Sequence, residues 1–263
     1  MSRPVRVPDL VEWKKRGERL TMLTAYDATM ARLFDSAGVD LLLVGDSLGM
    51  VIMGESDTLG VTLDDMVRHT RAVRRGVERA LVVADMPFLT YQVSTEEAVR
   101  NAGRLVQEGG AQAVKLEGGT PILAVVERLV AIGIPVMGHL GLTPQSVHRL
   151  GGYRQQARTE EEARSLVSQA RALQEAGVFA IVLESVPAAV AREVTESLAI
   201  PTIGIGAGPH CDGQVLVSYD LLGLTAYAPS FARRYVDLSA AISKAVQEYV
   251  SDVRAGRFPD TSS

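Results

Sequence analysis

Short apolar runs that break off in an acid recur along this chain, and they constrain its fold more than any other feature. Leu41-Leu42-Leu43-Val44 leads into Gly45-Asp46-Ser47, and Leu81-Val82-Val83-Ala84 into Asp85. Ala113-Val114-Lys115-Leu116 ends in Glu117, and Ala180-Ile181-Val182-Leu183 in Glu184. An unbroken aliphatic run of this length marks a strand buried on both faces, as in parallel sheets. A carboxylate at the tip of such a strand is costly unless it faces a cation or hydrogen-bond donors. Met22-Leu23-Thr24-Ala25-Tyr26-Asp27, the first strand, also ends in a polar residue. Four buried tips with acids point to a shared site.

Helical segments separate these runs. Glycines at Gly38, Gly109, Gly133 and Gly177 mark the helix-to-strand junctions, where glycine caps a helix in the left-handed conformation. Capping-box patterns at Ser94-Thr95-Glu96-Glu97 and Thr159-Glu160-Glu161-Glu162 open two of the helices. Thr120 with Pro121 predicts the start of another. Strands alternating with helices imply a parallel sheet, and seven or eight such units closing on themselves make a (β/α)8 TIM barrel. The 263 residues fit a single barrel domain spanning 1–263, with a leading helix in 1–20 covering one end and a frayed tail over 254–263. The eighth strand is placed near 214–219, and a closing amphipathic helix over 238–253. The glycine-punctuated connection 48–61 is long enough to be a lid or binding loop.

Composition narrows the function. A net charge of −4 and no dense basic face argue against nucleic acid. No apolar run approaches the ~18 residues of a membrane span, and the N-terminus lacks a signal peptide's apolar core. The single cysteine, Cys211, excludes an intrachain disulfide, so a cytoplasmic setting is the default expectation.

Strand alternation puts Leu42, Val44 and Asp46 on one face, as it does Val83 with Asp85 and Lys115 with Glu117. If that face lines the barrel, Asp46, Asp85 and Glu117 converge. Their repulsion is resolved by a hard divalent ion, for which oxygen-only ligands favour magnesium. The bland alternative pairs each acid with an arginine or uses it as a helix cap. Lys115 and His139 can likewise be a snorkelling lysine and a structural histidine, or donors to a substrate carboxylate or oxyanion. Glu184, in apolar surroundings, suits a general base.

Two strings are decoys. Gly45-Asp46-Ser47-Leu48-Gly49 matches nucleophile-elbow and esterase patterns, but no histidine stands at the spacing such esterases use to activate the serine. Gly204, Gly206 and Gly208 suggest a phosphate loop without the full fingerprint.

The motifs together resemble a known family. Thr24-Ala25-Tyr26-Asp27, Val44-Gly45-Asp46-Ser47-Leu48-Gly49, Ala84-Asp85-Met86-Pro87-Phe88 and Lys115-Leu116-Glu117-Gly118-Gly119 carry the likeness. So do Met137-Gly138-His139-Leu140-Gly141-Leu142-Thr143-Pro144-Gln145 and Ile205-Gly206-Ala207-Gly208 followed by Asp212-Gly213-Gln214. They are similar, in order and over nearly the whole chain, to the ketopantoate (3-methyl-2-oxobutanoate) hydroxymethyltransferases of the pantothenate pathway. The resemblance implies a magnesium-dependent barrel that moves a hydroxymethyl group from 5,10-methylenetetrahydrofolate to 3-methyl-2-oxobutanoate through a metal-stabilised enolate. It implies a homodecamer, a pentamer of dimers. Carried over, Asp46, Asp85 and Glu117 resemble the magnesium shell, Asp46 and Glu117 partly through water. Asp46, Ser47, Asp85, Lys115 and His139 resemble the keto-acid contacts, and Glu184 the proton acceptor.

Rival readings are a keto-acid lyase or mutase of the phosphoenolpyruvate mutase and isocitrate lyase kind, and a catalytically dead barrel. The lyases' Lys-Lys-Cys-Gly-His string is absent. A dead copy has no reason to keep buried acids.

Overall fold

In a computed structural model, which describes residues 3–259, eight parallel strands close into a barrel in sequential order. The described chain falls into two compact units, one ending at Leu216 and one beginning at Val217. All eight strands lie in the first unit.

The first unit runs α1 (Val7–Lys15), β1 (Leu20–Thr24), α2 (Ala28–Ser36), β2 (Leu41–Val44), a short α3 (Leu48–Val51) and α4 (Leu63–Gly76). It continues β3 (Leu81–Asp85), α5 (Thr95–Gln107), β4 (Ala113–Glu117), α6 (Leu123–Ala131) and β5 (Val136–Gly141). A short α7 (Val147–Leu150) precedes α8 (Glu160–Glu175), β6 (Ala180–Glu184), α9 (Ala188–Ser197), β7 (Thr202–Ile205) and β8 (Gly213–Leu216). The second unit holds α10 (Ser218–Leu222) and α11 (Leu238–Arg254), the latter capped by the Asp237 carboxylate on the Ala240 amide. The predicted tail is partly described: α11 ends at Arg254, and residues 260–263 lie outside the described range. No described helix is long and apolar enough to cross a membrane.

Leu20, Met22, Leu41, Leu43, Leu81, Val83, Ala113, Met137, Ala180, Val182, Ile203 and Val215 form the barrel's apolar interior. The leading helix packs against its N-terminal end. Val5 and Leu10 are buried in the same cluster, with Val7 and Trp13 packed against it. Lys14 fastens this plug, donating to the carbonyls of Thr195 (2.8 Å) and Ile200 (3.0 Å) and to Asp212 Oδ2 (3.0 Å). Lys14→Met should leave the two carbonyls and the carboxylate short of a donor. We expect a loss of about 2 kcal/mol, read as a lower urea midpoint at unchanged slope.

Local chemistry moved several boundaries. Strand β1 ends at Thr24 rather than Asp27, because Asp27 accepts from the Thr29 and Met30 amides and so caps α2. Thr120 is not a helix cap: it opens a 3-10 turn through Ile122, and α6 starts at Leu123. Only the second capping box closes in both directions; Ser94 accepts from the Glu97 amide, without the reciprocal bond. At the second of the glycine junctions the left-handed residue is Gly110, φ +79°, not Gly109. Gly109 is small for another reason, since a Cβ there would lie 2.5 Å from the Leu105 carbonyl oxygen. The glycine-rich segment after β7 turns into β8, with Gln214 Nε2 donating to the Gly208 carbonyl.

Candidate active site

The barrel's own register assembles the site at its C-terminal mouth. Asp85 of β3 is the register partner of Lys115 of β4, and Glu117 of β4 that of His139 of β5. Lys115 Nζ lies 2.7 Å from Asp85 Oδ1 and 3.2 Å from His139 Nδ1. His139 stands between two carboxylates, with Nδ1 3.5 Å from Glu117 Oε1 and Nε2 3.2 Å from Glu184 Oε2. Asp46, Asp85, Lys115, Glu117 and His139 are all buried.

Asp46 arrives by a different route from the one the alternation predicts. Leu41 and Leu43, not Leu42 and Val44, face the barrel interior. Strand β2 stops at Val44, and a turn, with the Leu48 amide on the Gly45 carbonyl and the Gly49 amide on the Asp46 carbonyl, carries Asp46 into the site. Its amide donates to Asp85 Oδ2 at 3.0 Å. Glu184 also differs from expectation. It is not alone among apolar residues but paired with the His139 ring. Gly141 gives it room: it is the register partner of Glu184, and a Cβ there would lie 2.3 Å from the Glu184 carbonyl oxygen. Gly141→Ala, at φ +91°, should cost about 3 kcal/mol of stability and shift Glu184 off His139. A reduced thermal midpoint together with lost activity is the expected result.

Ser47 Oγ lies 2.8 Å from the Tyr26 hydroxyl, so its described partner is a phenol and not the imidazole a serine nucleophile requires. Two residues the sequence reading passed over hold the acids. Gln145 Nε2 donates to Asp46 Oδ2 (2.8 Å) and the Met86 carbonyl (2.9 Å), and its amide donates to Glu117 Oε2 (3.0 Å). The Tyr91 hydroxyl donates to Gln145 Oε1 (2.8 Å) and accepts from the Glu117 amide (3.1 Å). Gln145 stood in a motif without a role, and nothing in the spacing marked Tyr91.

The electrostatics are those of crowded anions. Burial, then the Asp85 and Glu117 charges, push the Asp46 carboxyl well above the usual carboxylate range. Burial raises Asp85 too, against the pull of Lys115. Burial lowers Lys115 but the surrounding carboxylates outweigh it, so its ammonium is held firmly. Burial and the Lys115 charge push His139 down, yet its bonds to Glu117 and Glu184 hold it up to about 9. In that charged form both ring nitrogens face carboxylates as ion pairs, Nε2 without an aligned hydrogen bond, and Lys115 is a like-charged neighbour. Glu117 stays below the ordinary range, because the His139 contact outweighs burial.

Among the described residues no three His, Cys, Asp or Glu side chains form a ready ligand set for one ion. What the site holds is four carboxylates, at 46, 85, 117 and 184, around two cations, at 115 and 139.

Comparison with known proteins settles the lineage. The family model of ketopantoate hydroxymethyltransferase matches residues 4–261. The chain belongs to the ketopantoate hydroxymethyltransferase family. It is 56% identical over 260 residues to the 3-methyl-2-oxobutanoate hydroxymethyltransferase of Pelobacter propionicus, covering 98% of this chain and 96% of that one. It is 57% identical over 257 residues to the enzyme of the same name from Moorella thermoacetica, covering 97% and 96%. As a family member it is an enzyme, a transferase. Among solved structures its fold resembles 2,3-dimethylmalate lyase, a member of the phosphoenolpyruvate mutase/isocitrate lyase superfamily (TM-score 0.61, 18% identity, 97% and 90% covered). It also resembles phosphonopyruvate hydrolase in complex with oxalate and Mg++ (TM-score 0.64, 14% identity, 98% and 90% covered). The superfamily weighed as a rival thus shares the architecture of the ketopantoate hydroxymethyltransferases.

Proposed function

We propose that this ketopantoate hydroxymethyltransferase family member carries the one-carbon unit of 5,10-methylenetetrahydrofolate to C3 of 3-methyl-2-oxobutanoate with magnesium, as a step of pantothenate biosynthesis. The observation that carries the reading is a formal excess of two negative charges among the six site groups, the crowding that pushes the Asp46 carboxyl up. A divalent ion neutralises that excess. The donors fit such an ion: all are carboxylate oxygens, and buried Asp85 Oδ1, though 2.7 Å from Lys115, makes no aligned hydrogen bond. Magnesium needs only one or two carboxylates when waters and substrate complete its shell, so Asp85 and Asp46 would hold it, with Glu117 acting through water. When bound, the ion polarises the substrate ketone and acidifies the neighbouring C3–H, an effect worth several kcal/mol.

The chain's own residues do the rest. Lys115 and His139 offer positive charge to the keto-acid carboxylate and to the oxygen on which charge develops, and Ser47 adds a hydroxyl donor. Glu184, its side chain 17% exposed beside His139, takes the C3 proton. The freed electron pair forms the new C–C bond to the one-carbon unit. The one-carbon unit reaches C3 at the aldehyde level: its two C–N bonds to the folate break as water adds. The water's oxygen becomes the aldehyde oxygen, and its two protons go to N5 and N10 of the departing tetrahydrofolate. The alkoxide left by C–C bond formation takes the proton on Glu184. We place the enzyme in the cytoplasm as a homodecamer, a pentamer of dimers, on the resemblance of its motifs.

The test is the half-reaction. In deuterated water with magnesium and the keto acid alone, the enzyme should exchange the C3 proton, followed by NMR, and a chelator should stop it. Absence of exchange in the complete mixture would falsify the reading.

A further inference from the structure

Gln145 commits both polar atoms of its side chain, and its backbone N–H, within the site. Its two amide N–H groups go to Asp46 Oδ2 and the Met86 carbonyl, and its side-chain oxygen accepts from Tyr91 and from Gln92 Nε2 (3.2 Å). With two donors and two acceptor directions filled, the amide has one orientation only. Its backbone N–H meanwhile holds Glu117 Oε2. One buried residue on the loop after β5 therefore grips two of the three acids, arriving from strands β2 and β4. Tyr91 grips the same unit from the other side. It accepts from the Glu117 amide, and its single proton goes to Gln145 Oε1, at 2.8 Å, rather than to the Glu117 carbonyl, at 3.1 Å.

The grip leaves a pattern. Asp46 Oδ2, Asp85 Oδ2 and Glu117 Oε2 are each held by an N–H, from Gln145, Asp46 and Gln145 respectively. The opposite oxygens of Asp85 and Glu117 face Lys115 and His139. Two mutually repelling carboxylates would otherwise splay apart, and an ion that demands near-ideal octahedral geometry tolerates little error in their positions.

We propose that Gln145, oriented by Tyr91, is a positioning residue that sets the placement of Asp46 relative to Glu117 and thereby the affinity of the site for its divalent ion. This rests on the metal-dependent reading above. The Glu117 bond comes from the backbone and survives a side-chain change, so variants at 145 isolate the Asp46 arm.

The probe is Mn2+ alone, with free ion counted by electron paramagnetic resonance, on the full chain without substrate. Gln145→Met keeps length and removes the donors; Tyr91→Phe removes the hydroxyl that orients the amide and that also accepts the Glu117 backbone N–H. Loss of a partner that orients a metal ligand weakens affinity by about 10–100-fold. We expect that for Gln145→Met and a smaller, several-fold loss for Tyr91→Phe, with the double variant little worse than Gln145→Met. A merely structural role would lower the melting temperature and leave the Kd of the folded protein unchanged. Wild-type Kd in both variants overturns the proposal. If Gln145→Met does not fold, Tyr91→Phe decides by the same criterion. A wild-type protein that binds no Mn2+ overturns the metal reading and this proposal with it, an outcome distinct from equal binding by wild type and variants.

Discussion

Glu184→Gln should bind the keto acid with near wild-type affinity and exchange its C3 proton slower by a factor of about 10^2–10^4, the usual contribution of a positioned general base. The substitution keeps the side chain's shape. The amide oxygen can take the place of the present carboxylate oxygen, 3.2 Å from His139 Nε2. What it loses is a lone pair basic enough to take a proton. Lys115 and Asp85 stand on other strands and Asp46 on the turn after β2, all untouched, so binding and proton transfer separate in this variant. Saturation measured by NMR should be normal while deuterium incorporation stops. Exchange at the wild-type rate would move the base elsewhere.

Asp85→Asn is expected to be more damaging. Asp85 Oδ2 accepts the Asp46 amide, and Oδ1 faces the Lys115 ammonium at 2.7 Å. The asparagine oxygen can keep the Asp46 bond, but the remaining NH2 must then point at an ammonium. A buried cation without its partner typically costs about 3–5 kcal/mol, so the thermal midpoint should fall. The principal direct oxygen for the ion also disappears. Losing several kcal/mol of polarisation corresponds to a rate loss of roughly 10^3-fold or more. Raising magnesium to millimolar levels should not restore it. A variant with full activity and unchanged metal dependence would remove Asp85 from the account.

Much of this was legible in the sequence, for a physical reason. Buried parallel strands must be continuously apolar, so β2, β3, β4 and β6 stand out, and an acid closing such a run has no structural excuse. That is why Asp85, Glu117 and Glu184 could be named. Asp46 was named too, but on a face it does not share: a two-residue overhang past Val44 reverses what alternation says. The pairing of His139 with Glu184 was not legible, because it depends on how β5 and β6 slide against each other. Gln145 and Tyr91 were missed because a neutral buried amide or phenol carries no charge penalty to betray it. Their role exists only once three separate strands and loops meet.

The most direct test is product formation from 3-methyl-2-oxobutanoate, 5,10-methylenetetrahydrofolate and magnesium, with each omitted in turn. The account predicts 2-dehydropantoate only from the complete mixture, with tetrahydrofolate released in equal amount. Turnover at an undiminished rate in a metal-free, chelated mixture would contradict it.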